Sequence, residues 1–253
     1  MKKHKGILIV LLIIIVLASA TAAVYLYYKE NTRQTPDELM ESERQKTELA
    51  YKENLQYALN TCKKYDFIVV LNPAHGGTDI GHENAFGMEK GVTLSICNQV
   101  IAENTDTDIG IFLTRSQDVN INEEMRLSLI NRVQPDLFID VHLEKSANVN
   151  AYGTSVSYDT TYFDRKLSNM EFADIMEKSV VTAIEGFAVG IIDVTDKEDA
   201  AVLKGLTIPA VSIACGDMSN DKEGELLTRE AYQKNIAKGI LDGIYLAKQK
   251  LEE

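Results

Sequence analysis

Phe67-Ile68-Val69-Val70-Leu71-Asn72-Pro73-Ala74-His75-Gly76-Gly77 begins as an unbroken apolar run and ends in proline, histidine and paired glycine. Consecutive apolar residues bounded by turn formers predict a buried strand that delivers His75 to a loop at the carboxyl edge of a sheet. Open α/β sheets bind their ligands at that edge. Glu89 opens an amphipathic run carrying Leu94, Ile96, Val100 and Ile101. That pattern predicts a helix whose first turn holds the carboxylate over the same crevice. A further apolar strand, Leu137-Phe138-Ile139-Asp140-Val141, ends at His142. Two histidines and one glutamate, leaving one position open, are the ligand set of a catalytic zinc site.

These residues, with others in order behind them, resemble the zinc-dependent N-acetylmuramoyl-L-alanine amidases, the peptidoglycan amidase catalytic domain. The family's Asp-Pro-Gly-His-Gly-Gly stands here as Asn72-Pro73-Ala74-His75-Gly76-Gly77, followed by Asp79 and Gly81. Its Glu-Lys is Glu89-Lys90, its Thr-Arg is Thr114-Arg115 with Asp118, and its Arg and Asn on the next helix are Arg126 and Asn131. Its Ser-Ile-His strand is Asp140-Val141-His142, its Gly-initiated strand runs from Gly153 to Tyr158, and its Pro-Ala-Val strand is Pro209-Ala210-Val211. The match extends from about Phe67 to the C-terminus. The resemblance implies Zn2+ held by His75, Glu89 and His142, and hydrolysis of the bond between the muramoyl lactyl group and L-alanine in peptidoglycan.

The departures from the pattern cluster at the site. The family's second glutamate, its acid–base residue, lies on the strand Pro-Ala-Val-Leu-Val-Glu-Leu-Gly-Phe, and in register with it that glutamate falls on Ala214. The family's leading Asp is Asn72, its Gly before the histidine is Ala74, the Asn two after the second histidine is Glu144, and its Phe is Asp217. Asn72 is expected to replace, without charge, an aspartate that orients a zinc-bound histidine. Side chains two apart on a strand share a face, so Glu144 is a candidate substitute base beside His142; the alternative is a solvent-facing glutamate next to Lys145. Arg115 and Arg126 are candidates for holding an anionic wall peptide, the alternative being structural ion pairs. His82 is expected at the surface rather than as a fourth ligand.

The chain has 253 residues, 45% hydrophobic and 25% charged, with a net charge of -12. That size allows one sizeable domain and a short accessory segment. Acidity without clustered Lys and Arg excludes a nucleic-acid partner. Lys2, Lys3 and Lys5 precede an uncharged run from Gly6 to Tyr28, long enough to span a bilayer, and basic flanks keep that end in the cytoplasm. A single-pass anchor in the cell membrane is expected, with the C-terminal domain outside. The alternative is secretion after signal cleavage near Ala18-Ser19-Ala20, against which the apolar residues continue to Tyr28. Cys62, Cys97 and Cys215 cannot all pair internally and lack metal-site spacing, so Cys97 and Cys215 are expected as small buried residues.

The expected organisation is therefore a cytoplasmic tip and transmembrane helix over 1–28, a helical stalk or linker over 29–65, and the zinc-binding domain over 66–253. Thr35-Pro36-Asp37-Glu38 predicts a capped helix start, and Tyr51, Leu55, Ala58, Leu59 and Cys62 an apolar stripe on the stalk's distal half. In the domain, strands are expected at 67–71, 109–114, 137–142, 153–158 and 210–214, and helices at 89–103, 123–131, 164–183 and 228–250. The region 186–204 has no assigned element. This alternation predicts an α/β fold with a mainly parallel or mixed central sheet and helices on both faces. Two functions stay open: a peptidoglycan amidase, which the ligand triad favours, and a non-catalytic wall-binding or regulatory pseudo-amidase, which Ala214 favours.

Overall fold

The computed structural model describes residues 18–25, 35–162, 166–197 and 202–253. The expected membrane span falls mostly outside them, only its residues 18–25 being described, as helix. Among the described residues no helix is long and apolar enough to cross a membrane. The chain divides into two compact units, Met1–Gln45 and Lys46–Glu253.

Helix α1 (Pro36–Thr61) begins in the first unit with the expected capping box. The Thr35 N–H donates to the Glu38 carboxylate at 2.8 Å, and the Glu38 N–H donates to Thr35 Oγ1 at 3.2 Å. These reciprocal bonds satisfy backbone donors that a helix start leaves open.

In the second unit, the distal part of α1 buries Ala50, Leu55 and Ala58. Then come β1 (Phe67–Pro73), α2 (Glu89–Glu103), β2 (Ile109–Leu113), α3 (Glu123–Val133), β3 (Leu137–Glu144), β4 (Thr154–Tyr158), α4 (Asn169–Ile184), β5 (Ala188–Asp193), β6 (Ala210–Asp217), α5 (Asp221–Leu227) and α6 (Glu230–Glu252). The strands form one sheet in the order β2-β1-β3-β6-β4-β5. It is mixed, because β4 runs antiparallel to β6 while every other neighbouring pair is parallel. Alternate residues of β1 feed opposite faces: Phe67, Val69 and Leu71 join a core with α2, α4 and α6, whereas Val70 joins one with α1 and α3.

This order explains where a site can form. From β1 the chain moves outward to β2 and then crosses back to β3 on the other side of β1. The loops leaving β1 and β3 therefore diverge, opening a crevice at the carboxyl ends of the two strands, where doubly wound sheets take their ligands.

Three elements differ from expectation. The unassigned region holds β5, an edge strand with most of its residues exposed or half-buried, so it lacks the continuous apolar run of β1 or β3. The helix expected from 164 starts at Asn169, where the Ser168 hydroxyl caps it by accepting the Glu171 N–H at 3.2 Å. The expected final helix is preceded by the short α5, capped by Asn220, which accepts from the Lys222 and Glu223 N–H groups. All three cysteines are buried and unpaired.

Candidate metal and catalytic cleft

The crevice is a cleft of about 420 Å³, lined among others by His75, Asp79, Arg126, Asp140, His142 and Ser212. Its first wall is the loop after β1. His75 adopts φ 61, a left-handed conformation that costs a non-glycine residue energy and is retained only where surroundings impose it. Here the Gly76 N–H donates to the Asp79 carbonyl at 2.8 Å and the Asp79 N–H returns to Gly76 at 3.1 Å. A β-carbon on Gly76 would run into the carbonyl oxygen of Val119. Lys90 Nζ donates to the Gly77 carbonyl and to Asp118, both at 2.8 Å, and Asp118 accepts the Gly77 N–H at 2.7 Å.

Arg115 lies beneath this loop, 1% exposed. Its guanidinium donates to the carbonyls of Pro73 at 3.0 Å, Ala74 at 2.9 Å, Lys90 at 2.8 Å and Gln117 at 3.2 Å. Of the two roles expected for Arg115 these bonds favour the structural one, with backbone carbonyls in place of ion pairs: it shapes the His75 loop from below.

Glu89 is fully buried at the start of α2. Its carboxylate accepts the Leu143 N–H at 2.7 Å and the His82 N–H at 2.9 Å, and stands 3.1 Å from His75 Nε2. Burial works to raise its pKa, but His75 and the two N–H groups together hold it below the usual value. The His82 ring is more distant, 3.9 Å from the same carboxylate.

His75 Nδ1 faces Asp79 at 2.9 Å. A carboxylate only accepts, so Nδ1 carries the proton and Nε2 is the lone-pair atom of the neutral ring. Two acceptors, Nε2 and the Glu89 oxygen, then confront each other and require a cation between them, either a proton or a metal. Glu89 foremost, with Asp79, pushes the imidazole up to about 9 against the effect of burial. The space is closed on the other side by Gly81, where a β-carbon would come within 2.5 Å of the His75 ring and 2.6 Å of Glu89.

His142 is built in the same way on β3. Ser212 Oγ donates to Asp140 at 2.6 Å, so its lone pair accepts from His142 Nδ1 at 3.0 Å, again leaving Nε2 as the lone-pair atom. Asp140 itself is 3.5 Å from Nδ1. Burial works to lower the His142 imidazole, but Asp140 and Glu144 outweigh it and carry it up to about 10.

His75 and His142 both line the cleft, and Glu89 is in contact with His75. Among the described residues, however, no three His, Cys, Asp or Glu side chains converge closely enough to hold a metal ion.

Residues 69–245 match the family described as N-acetylmuramoyl-L-alanine amidase. The chain belongs to that amidase family. The chain is 25% identical over 195 residues to the germination-specific N-acetylmuramoyl-L-alanine amidase of Bacillus subtilis, covering 70% of this chain and 78% of that one. Among solved structures it resembles the catalytic domain of CwlV, an N-acetylmuramoyl-L-alanine amidase from Bacillus (Paenibacillus) polymyxa var. colistinus, with TM-score 0.63 and 27% identity over 71% of this chain and 98% of that one. It also resembles the N-acetylmuramoyl-L-alanine amidase from Clostridium difficile 630, with TM-score 0.66 and 26% identity over 72% and 97% of the two chains. Amidases of this family are generally zinc-dependent.

Against the amidase pattern, the departures acquire a geometry. Among the described residues the Asn72 side chain hydrogen-bonds no histidine: it donates to Asp140 Oδ1 at 2.5 Å and accepts from the Thr114 hydroxyl at 2.6 Å. Asp140 stands where the pattern has serine and Asn72 where it has aspartate. Asp140 is the carboxylate that stands beside His142 Nδ1, with Ser212 between them. Sequence reading passed over Asp79, Asp140 and Ser212 as orienting groups. The signal for Asp140 was its position two before His142, on the same face of the strand.

Ala214 is buried and sits directly opposite His142 in the β3–β6 ladder, presenting only a methyl group there. The nearest compensation is Glu144, whose Oε1 is 3.7 Å from His142 Nε2 with its side chain half-exposed. The ladder shifts register between His142 and Glu144, leaving Glu144 opposite Asp217. Asp217 turns from the cleft to accept the N–H groups of Ser146 and Ser219, while the Glu144 carbonyl accepts the Met218 N–H at 2.8 Å. These bonds fix the turn that carries Glu144. Arg126 lines the cleft without a partner for its buried Nε.

Proposed function

We propose that this protein is an extracytoplasmic peptidoglycan hydrolase of the N-acetylmuramoyl-L-alanine amidase type, zinc-dependent, with Glu144 in place of the missing acid–base glutamate. The observation that carries the reading is the pairing at His142: a bare Ala214 methyl on the neighbouring strand, and a carboxylate 3.7 Å from Nε2 on its own strand.

His75, Glu89 and His142 would hold the zinc, since each imidazole has its Nδ1 engaged by an oxygen acceptor and its Nε2 left as the donor atom, with a buried carboxylate beside one of them. Bound there, zinc supplies Lewis acidity to the scissile carbonyl and acidifies a water. The Glu144 carboxylate accepts the proton of the attacking water at Oε1. It returns that proton to the alanine nitrogen as the carbon–nitrogen bond breaks, giving a lactyl carboxylate and a free amine. Asp79, Asp140 and Ser212 keep both imidazoles in the required tautomer.

The apolar run 6–28 with its basic flank supports a single-pass anchor in the cytoplasmic membrane, the amidase domain outside. Loss of that orientation on replacing Lys2, Lys3 and Lys5 supports the anchor, and a mature N-terminus just after Ala20 or Ala22 contradicts it. A second reading, a wall-binding pseudo-amidase, is favoured by Ala214 alone. Purified peptidoglycan incubated with the protein and zinc separates the two: freed alanine amino termini establish the hydrolase, whereas co-sedimentation without new termini leaves the binding module.

A further inference from the structure

The cleft holds one cationic side chain whose hydrogen-bonding capacity the protein does not use. Arg126 stands in the first turn of α3 and lines the cleft with His75 and His142. Its Nε is buried, and among the described residues it has no hydrogen-bond partner. A buried donor without a partner is costly, so such groups are rare and point to a ligand. Neighbouring groups are otherwise engaged. Asp79 is taken by His75 and the Gly81 N–H, and Asp140 by Asn72, Ser212 and His142. Asn122 spends its side-chain oxygen on the Met125 N–H as the α3 cap.

The contrast with Arg115 sharpens the point. Both arginines match the family pattern, yet Arg115 donates four bonds to carbonyls and Arg126 offers its fork to the cleft. A free Nε beside a free terminal nitrogen is what a carboxylate needs to bind in two-pronged fashion.

We propose that Arg126 is the carboxylate-recognition residue of the cleft, receiving an acidic group of the peptide on the amine side of the cleaved bond. This rests on the reading that the cleft accepts a wall peptide. Arg126 acts in binding and orientation, and proton transfer stays with Glu144.

The test titrates the full chain in detergent with N-acetyl-alanyl-glutamate and with its diamide, in wild type, Arg126→Gln and Arg126→Lys. Wild type should prefer the acid about 10- to 100-fold. Arg126→Gln should abolish the preference, the affinity for the acid falling to that for the diamide. Arg126→Lys, which keeps the charge but not the fork, should retain a fraction, and it serves as the reporter if the glutamine variant fails to fold. Wild type that binds acid and diamide equally, or Arg126→Gln that keeps the preference, overturns the proposal. Wild type that sediments with peptidoglycan yet binds neither probe also overturns it and leaves the wall reading standing. An acid preference lost in Arg126→Gln, with no sedimentation on peptidoglycan, supports the carboxylate site and removes the wall reading.

Discussion

Replacing Arg115 with methionine tests whether the His75 loop is built from beneath. Methionine keeps much of the apolar volume and removes every donor. Four carbonyls lose their guanidinium partner, but Ala74 and Lys90 retain the Thr93 hydroxyl at 3.0 and 3.4 Å and Gln117 retains the Val119 N–H at 3.0 Å, so the loss falls hardest on Pro73. Each unsatisfied buried acceptor costs about 1–3 kcal/mol. Part of this is offset because a buried charge no longer has to be desolvated. The net expectation is a loss of about 2 kcal/mol, equivalent to roughly 4–8 °C in Tm for a unit of this size. Thermal unfolding of wild type and Arg115→Met measures it, with the peptide titration run in parallel. A shift below about 2 °C accompanied by lost preference for the acidic peptide would refute the reasoning, because Arg115 would then serve the ligand rather than the loop.

Asp140→Ser should weaken zinc binding about 10- to 100-fold by releasing His142, and adding Asn72→Asp should restore much of it by placing a carboxylate on β1; zinc competition titration decides, and an unchanged affinity in Asp140→Ser counts against Asp140 as an orienting group. Burial works to raise Asp118, but Lys90 and the Gly77 N–H hold it below 3.8. A carboxylate with a depressed folded pKa adds stability that is complete above its unfolded pKa and lost as pH falls through the folded one. Wild type should therefore exceed Asp118→Asn in urea stability by a constant, modest margin at neutral pH, modest because the side chain is 55% exposed, and the margin should close in acid; a margin that widens in acid contradicts the assignment.

The parts of the site visible in sequence were those fixed by strand ends and helix starts. His75 and His142 close apolar runs, so periodicity pointed both to the sheet edge where they line the cleft, and Glu89 opens the amphipathic run that begins α2. The groups that orient them were harder to see. Asp140 reads as a polar interruption in a buried strand, and Ser212 as one small residue among several; their meaning comes from lying side by side on β3 and β6. Arg115 and Arg126 look alike in a sequence, because which donors are satisfied depends on the path of a loop. The edge strand β5 was missed for a related reason, since an edge with a half-exposed face lacks the apolar continuity that marks β1 and β3. The stalk helix declared itself by its capping box, a local signal that needs no tertiary context.

The claim that the acid–base carboxylate has moved is tested most directly by assaying wild type, Glu144→Gln and Ala214→Glu on the same peptidoglycan at equal zinc content, counting freed alanine amino termini. A positioned acid–base group contributes about 10²- to 10⁴-fold. The account predicts measurable wild-type release that falls by that order in Glu144→Gln. A silent wild type whose activity appears only in Ala214→Glu would contradict it, marking a domain that lost its base and kept its site.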